Sequence, residues 1–331
     1  METKLKDGDE QMQHYLITGS AGFIGSNFIH YLLGKYQDCQ VVNLDLLTYA
    51  GNLANLADIQ ADPRYHFVQG NITDQHLVED LIGQYQIDVL VNFAAESHVD
   101  RSISGPELFF ETNTRGTWSL LEAARKMRVG KFVQISTDEV YGSLGPTGYF
   151  SENSPLDPSS PYSASKAAAE MLVLGHATTY GMDVNITRSS NNYGPYQNPE
   201  KLLPLLITNA IEGRDLPIYG DGQNVRDWLY VEDNCSAIDQ VIQQGHSGAI
   251  YNVSAHNERT NNQIADLIAE RLDGKIQYIA DRPGHDFRYA LDAGKLEREL
   301  GWQPRYEFAE GLEKTIQWYL DQEDWWRQLK G

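Results

Sequence analysis

A chain of 331 residues is long enough for two lobes and a sizeable core, and its 46 acidic against 26 basic side chains leave a net charge of −20. That excess opposes binding to nucleic acid or to an anionic membrane, so any phosphorylated ligand must be held by a few local cations. The two cysteines, Cys39 and Cys235, have no metal-ligand spacing around them, so neither a disulfide framework nor a metal site is expected. Residues 1–13 are polar, carry both charge signs and lack the apolar core of a signal peptide, and no later stretch is long and apolar enough to span a bilayer. The reading is a flexible extension on a cytoplasmic protein.

From His14, the residues Tyr15-Leu16-Ile17-Thr18 read as a strand, followed by Gly19-Ser20-Ala21-Gly22-Phe23-Ile24-Gly25 and an apolar-periodic helix. A turn without side chains lets backbone N–H groups at a helix N-terminus approach a pyrophosphate. The second strand, Gln40-Val41-Val42-Asn43-Leu44, ends in Asp45, 20 residues after Gly25. An acid there can accept hydrogen bonds from both adenosine ribose hydroxyls and repels a 2′-phosphate, which favours NAD over NADP. A third strand, His66-Phe67-Val68-Gln69-Gly70, leads to Asn71-Ile72-Thr73-Asp74 and a helix. A fourth, Asp88-Val89-Leu90-Val91-Asn92-Phe93, is apolar enough to be central and ends in the small residues Ala94 and Ala95. A long amphipathic segment, residues 106–128, precedes the fifth strand. Strands alternating with helices imply a Rossmann-type doubly wound parallel sheet, with ligands beyond the carboxyl ends of the strands.

The fifth strand runs from Lys131 into Gln134-Ile135-Ser136-Thr137-Asp138-Glu139-Val140-Tyr141-Gly142. Two consecutive carboxylates where a buried strand opens invite an acid/base role; on its own the pair also reads as a solvated acidic turn. After a proline-rich loop, Tyr162-Ser163-Ala164-Ser165-Lys166 opens a helix that continues to about Tyr180. Tyrosine and lysine four apart share a helical face, so the ammonium can sit near the phenol and favour the phenolate. A strand, Val184-Asn185-Ile186-Thr187-Arg188, then passes into Asn191-Asn192-Tyr193-Gly194-Pro195, after which the alternation weakens. Shorter helices (201–212, 231–243, 261–272) and strands (217–219, 250–253, 276–279) predict a smaller mixed α/β lobe. The expected division is an NAD-binding domain at 14–190 and a smaller lobe at 191–331, which the resemblance below implies is mainly nucleotide-sugar-binding, with elements free to cross that boundary. The aromatic stretch 318–326 reads as packing rather than a binding face.

The glycine turn, Asp45, Thr137 and Tyr162-x-x-x-Lys166 together resemble the extended short-chain dehydrogenase/reductase superfamily. Further stretches narrow the resemblance to the dTDP-glucose 4,6-dehydratase family. They are Leu47-Thr48-Tyr49-Ala50-Gly51-Asn52, the run from Phe93-Ala94-Ala95-Glu96-Ser97-His98 to Ser102, Ser136 to Gly142, Asn191 to Tyr196 with Pro199-Glu200-Lys201, and Arg282-Pro283-Gly284-His285-Asp286.

This resemblance implies a C4 oxidation by NAD, with Tyr162 taking the hydroxyl proton, assisted by Lys166 and Thr137. It implies an elimination of water across C5 and C6 in which Glu139 removes the C5 proton and Asp138, kept protonated, donates to the departing hydroxyl, followed by hydride return to C6. The implied cofactor set is Gly19, Gly22, Phe23, Ile24, Gly25, Asp45, Leu46, Thr48, Asn71, Ile72, Ala94, Ala95, Ser97, Asn113, Tyr162 and Lys166. The implied substrate set is Ser97, His98, Thr137, Asn191, Glu200, Lys201, Leu202, Pro217, Tyr219, Arg226, Asn257, Arg282 and His285, with Lys201, Arg226 and Arg282 supplying cations for a diphosphate. Leu46, Asn71, Asn198 and Asn234 depart from the family pattern, away from the proton-transfer residues.

A homodimer through the segments 106–128 and 163–180 is expected by the same analogy. The substrate reading is dTDP-glucose, with UDP-glucose open. A nucleotide-sugar 4-epimerase and a non-catalytic NAD-binding sensor remain as alternatives; the Asp138-Glu139 pair speaks for the dehydratase, because an epimerase has no use for an elimination pair.

Overall fold

The structure, a computed structural model, describes residues 13–281 and 285–330. Strand β1 (Gln13–Thr18) feeds helix α1 (Phe23–Lys35), and β2 (Cys39–Asp45), β3 (Tyr65–Gln69), α2 (Gln75–Tyr85) and β4 (Val89–Asn92) follow. Next come α3 (Val99–Ser104), α4 (Pro106–Phe109), a π-helical turn (Phe110–Gly116), α5 (Thr117–Met127), β5 (Lys131–Thr137), a 3-10 turn (Asp138–Tyr141), α6 (Pro161–Tyr180) and β6 (Val184–Ser189). The rest comprises β7 (Asn191–Tyr193), α7 (Leu202–Ile211), β8 (Leu216–Tyr219), β9 (Val225–Tyr230), α8 (Val231–Gln244), β10 (Ile250–Val253), β11 (Glu258–Thr260), α9 (Asn261–Leu272), β12 (Ile276–Ile279), α10 (Gly294–Leu300), α11 (Phe308–Asp321) and α12 (Glu323–Lys330).

Seven parallel strands in the order β3-β2-β1-β4-β5-β6-β10 form the main sheet. Its two faces are buried separately, which explains the nearly unbroken apolar runs of the central strands. One face packs Ile17, Val41, Val91 and Val133 against Phe28, Ile29 and Leu32 of α1 and Cys235, Ile238 and Ile242 of α8. The other packs Leu16, Val42, Leu90 and Phe132 against Val78 and Leu81 of α2, Leu120 and Leu121 of α5 and Val173 of α6. Thus α8 and β10, both beyond residue 190, return to the large sheet.

The smaller lobe holds a three-stranded sheet, β11-β9-β7, and a parallel pair, β12-β8. Its core gathers Tyr193, Leu206, Trp228, Ile264, Ile316, Tyr319 and Trp326. Trp326 is fully buried with Nε1 donating to Tyr319 O at 2.8 Å, and Trp325 Nε1 donates across to Asn55 Oδ1 at 2.9 Å, so the C-terminal aromatics are packing groups.

One departure from the expected helix 106–128 matters for the site. The segment is continuous in direction but its middle, Phe110–Gly116, widens to π-helix, a form that recurs at functional sites. Thr117 Oγ1 donates to Asn113 O at 2.7 Å, and a side chain at Gly116 would run into Ile72. The widened turn aims the Asn113 amide at the loop after β4.

Candidate active site

The carboxyl ends of β1, β2, β4 and β5 open on one cleft of about 760 Å³. At the end of β1, Gly19 has φ +68°, and a Cβ there would collide with the backbone of Ala94 from the loop after β4. A Cβ at Gly25 would lie 2.6 Å from Ser20 Cα, so this glycine lets α1 close on the turn. Gly22 differs: it lines the cleft, and its nearest neighbour for a Cβ would be Gly19 O at 3.2 Å. Asp45 ends β2 with Oδ2 accepting from Ala21 N at 2.9 Å and Oδ1 from Leu47 N at 2.8 Å. Burial raises its carboxyl, and those two backbone bonds oppose the rise.

Every residue expected for the cofactor lines this cleft except Asn113. Asn113 stands behind it, where Oδ1 accepts from Glu96 N at 2.8 Å while Nδ2 donates to Glu96 O at 3.0 Å and Ser165 Oγ at 2.9 Å. The amide therefore clips the loop carrying Ala94, Ala95 and Ser97 to α6. A glycine cradle that side chains would fill, small residues opposite it and a carboxylate at the ribose position fit a dinucleotide with two free ribose hydroxyls.

The fifth strand delivers the chemistry. Thr137 Oγ1 caps the 3-10 turn by accepting from Glu139 N at 3.2 Å and donates to Asp138 Oδ1 at 3.2 Å. Asp138 is buried, its Oδ2 has no hydrogen-bond partner, and burial first and the Glu139 charge second push its carboxyl well up; Arg226 pulls the other way. Glu139 is half-buried. Tyr162 and Lys166 sit one turn apart on α6, whose start is fixed by Pro161 and a Ser160–Ser163 capping box. Burial and then the Glu139 charge raise the Tyr162 phenol, against a hydrogen bond with Thr137. Burial lowers Lys166 to about 8. Its ammonium is anchored on the strand: Nζ donates to Ile135 O at 2.6 Å, a carbonyl that also accepts from Gln134 Nε2 at 3.2 Å, because a buried ammonium needs an acceptor.

Glu200 and Lys201 reach the same cleft from the smaller lobe, Lys201 Nζ donating to Ser97 O at 3.2 Å. Glu200 lies 3.6 Å from both His98 Nε2 and Arg101 Nη2; burial and then the Lys201 charge keep His98 toward its neutral form. The other substrate candidates stand apart from the cofactor end, on Asn191 of β7, Leu202 of α7, Pro217 and Tyr219 of β8, Arg226 of β9, the Asn257 loop and His285. Arg226 is buried over the Tyr289 ring at 4.5 Å and donates to Val225 O at 2.8 Å and Asp286 O at 3.0 Å. His285 Nδ1 is 2.7 Å from Asp281 Oδ1, and its ring meets Tyr219 edge-on at 6.3 Å. Arg282 lies outside the described residues.

Three of the four departures are accommodated locally, while Asn234 on α8 is fully buried with neither side-chain polar atom hydrogen-bonded. Asn71 Oδ1 accepts from Thr73 N at 2.9 Å, Asn198 Oδ1 accepts from Glu200 N at 3.0 Å, and Leu46 is exposed at the cleft. Residues missing from the sequence list include Tyr49, Glu96, Arg101 and Ser136, all lining the cleft, and Tyr289 beneath Arg226. The first four stand within the quoted motifs; nothing in the sequence marks Tyr289.

Residues 16–315 match the family model described as GDP-mannose 4,6 dehydratase. A dTDP-glucose 4,6-dehydratase from Xanthomonas campestris pv. campestris is 49% identical over 335 residues, covering 95% of each chain. The chain belongs to the dTDP-glucose 4,6-dehydratase family. The solved dTDP-glucose 4,6-dehydratase from Streptomyces venezuelae, with NAD bound, superposes with a TM-score of 0.93 at 48% identity, over 96% of this chain and 100% of that one. A UDP-glucose 4-epimerase from Thermotoga maritima shares the fold at a TM-score of 0.87 but only 28% identity, over 93% and 99% of the two chains. Sequence thus sets the dTDP-glucose 4,6-dehydratases apart from an epimerase of nearly the same backbone.

Proposed function

We propose that this protein converts dTDP-glucose to dTDP-4-keto-6-deoxyglucose as a hydro-lyase that retains NAD. The observation that carries the reading is the adjacent pair at the end of β5, in which the Asp138 carboxyl is sealed from solvent and held toward its neutral form beside the half-buried Glu139. Acid/base pairs need environments that separate their two carboxyls, and here burial supplies the separation.

NAD, when bound, accepts a hydride from C4 of the hexose and returns it to C6. The proton transfers belong to the side chains. Tyr162, in hydrogen-bond reach of Thr137, takes the 4-hydroxyl proton; burial makes its phenolate costly, so Lys166, one turn away, is needed as the nearby cation. A ketone at C4 acidifies the C5 proton by enolate stabilisation, and Glu139 removes it. Asp138 donates its proton to the departing 6-hydroxyl, water leaves, and C5 is reprotonated as C6 takes back the hydride.

Gly19, Gly22, Gly25 and Asp45 hold the dinucleotide at its pyrophosphate and ribose. Lys201, Arg226 and Arg282 hold the substrate diphosphate, and Asn191, Asn257 and His285 complete that end. Ser97, His98, Glu200, Leu202, Pro217 and Tyr219 complete the substrate contacts. The protein works in the cytoplasm as a homodimer through α4–α5 and α6. Phe110, Trp118, Met171 and Tyr180 support that face, each between 43% and 53% exposed, with Phe110 and Trp118 beside Leu172 in a shallow apolar groove.

Incubation with dTDP-, UDP- and GDP-glucose tests the reading. Alkali-absorbing 4-keto product from dTDP-glucose, with NAD retained, is expected. Formation of the galactose epimer alone, or ligand binding without turnover or solvent-proton exchange at C5, would overturn it.

A further inference from the structure

A buried polar network joins the two halves of the site from behind. Arg188 on β6 and Glu170 on α6 are both enclosed, with Arg188 Nη2 2.5 Å from Glu170 Oε2 and Nε 3.1 Å from each carboxylate oxygen. Arg188 Nη1 donates to the Tyr141 hydroxyl at 2.7 Å, and that hydroxyl donates to Asn252 Oδ1 on β10 at 2.7 Å. The Tyr141 ring has the Arg188 guanidinium 4.6 Å from its centre and stacks on Phe150 at 4.9 Å. Asn252 is held in turn, Nδ2 donating to Phe150 O at 3.0 Å and its backbone N–H to Glu152 Oε1 at 2.9 Å.

Each end of the network is attached to reacting machinery. Glu170 lies one helical turn beyond Lys166 on the buried side of α6, and Tyr141 closes the 3-10 turn that holds Asp138 and Glu139. The polar atoms of Tyr141, Glu170 and Arg188 are taken up by one another and by Asn252, so they do not act on the sugar directly. A buried ion pair adds little net stability over an apolar replacement, whereas a polar network with its members satisfied fixes one geometry. What this one fixes is the acid/base turn relative to α6.

We propose that Tyr141, Arg188 and Glu170 are positioning residues for the elimination step, holding the Asp138–Glu139 turn in register with Tyr162 and Lys166. The inference rests on the dehydratase reading above. Tyr141→Phe deletes one oxygen and leaves the ring on Phe150. Its kcat on dTDP-glucose should fall at least tenfold with KM within twofold of wild type. Solvent deuterium uptake at C5 should slow in parallel, while C4 oxidation persists and reduced nicotinamide accumulates during turnover. An unchanged kcat, or equal losses of C4 oxidation and C5 exchange, overturns the positioning role. Wild-type protein in the same assay separates the two ideas: if it fails to turn over dTDP-glucose, the functional reading falls, and if it succeeds, only the role of Tyr141 is at issue.

Discussion

Asp138 and Glu139 are neighbours in the chain, yet Asp138 is 3% exposed with one carboxylate oxygen unpartnered, while Glu139 stays half-buried beside it. Sequence adjacency makes the two charges repel, and unequal burial decides which carboxyl keeps the proton. That asymmetry favours Asp138 as the proton donor of the proposed elimination.

Asp138→Asn tests this on activity and stability together. Elimination should slow by roughly 10²-fold or more, the usual scale for a lost general acid, while C4 oxidation survives and reduced nicotinamide accumulates in a stopped-flow trace. Stability should move the other way. A carboxyl raised in the folded state stays protonated while its unfolded counterpart ionises above about pH 4, so folding loses about 1.4 kcal/mol per pH unit until the folded pKa is reached. Asparagine does not titrate, so the variant should melt higher than wild type at pH 7 and lose that advantage near pH 4. A variant that is less stable at pH 7 would contradict the burial argument.

Lys166 gives a pH dependence of opposite sign. Burial lowers its ammonium to about 8, so the cation proposed to assist Tyr162 is present below that pH and lost above it. C4 oxidation should fall as pH rises through about 8. Between about 8 and the ordinary lysine value the unfolded chain binds the extra proton, so this group's contribution to stability rises with pH over the same window. Single-turnover formation of reduced nicotinamide, set beside melting curves of wild type and Lys166→Met, separates the two trends.

The parts of the site legible in the sequence are those whose reason is local. Gly19, Gly22 and Gly25 declare a turn without side chains, Asp45 ends an apolar strand, and Thr137, Asp138 and Glu139 follow another. The parts that were not legible depend on groups brought together by the fold. Arg188 meets Glu170 and Tyr141 from 18 and 47 positions away, and Lys166 finds Ile135 O, 31 positions back. The helical spacing placed Lys166 on the correct face and could not say which acceptor its ammonium would take. The π turn was invisible for the same reason: helix propensity does not distinguish it from a regular turn, and its sense lies in the Asn113 contacts with Glu96 and Ser165.

The three glycines should respond differently to alanine. Gly19→Ala adds a methyl into the Ala94 backbone at positive φ, and Gly25→Ala forces Ser20 away from α1, so both should destabilise the protein by about 1–3 kcal/mol or more as overpacked or strained positions do. Gly22→Ala meets only Gly19 O at 3.2 Å, which a small shift relieves, and should lose less stability than the other two, yet its methyl stands in the cleft assigned to the dinucleotide. Its affinity for NAD, measured by calorimetry on nucleotide-stripped protein, should drop at least about tenfold, or about 1.4 kcal/mol. Equal losses of stability in all three variants would remove the distinction between the cradle and its scaffold.

The proposed dimer face makes the last prediction. Trp118 on α5 is 43% exposed and Met171 on α6 is 50% exposed, on helices packed against each other. Apolar side chains this large left in water cost about 25 cal/mol for each Å² that a partner could cover. Trp118→Glu and Met171→Glu should therefore leave the subunit folded, while sedimentation velocity shows a shift from dimer to monomer. The face also adjoins the site, since Phe110 and Thr114 of the groove flank Asn113 in the π turn. A monomeric variant should consequently bind NAD more weakly than the dimer, because the Asn113 clip on the loop of Ala94, Ala95 and Ser97 loses its outer support. Dimers that persist in both variants would place the interface elsewhere.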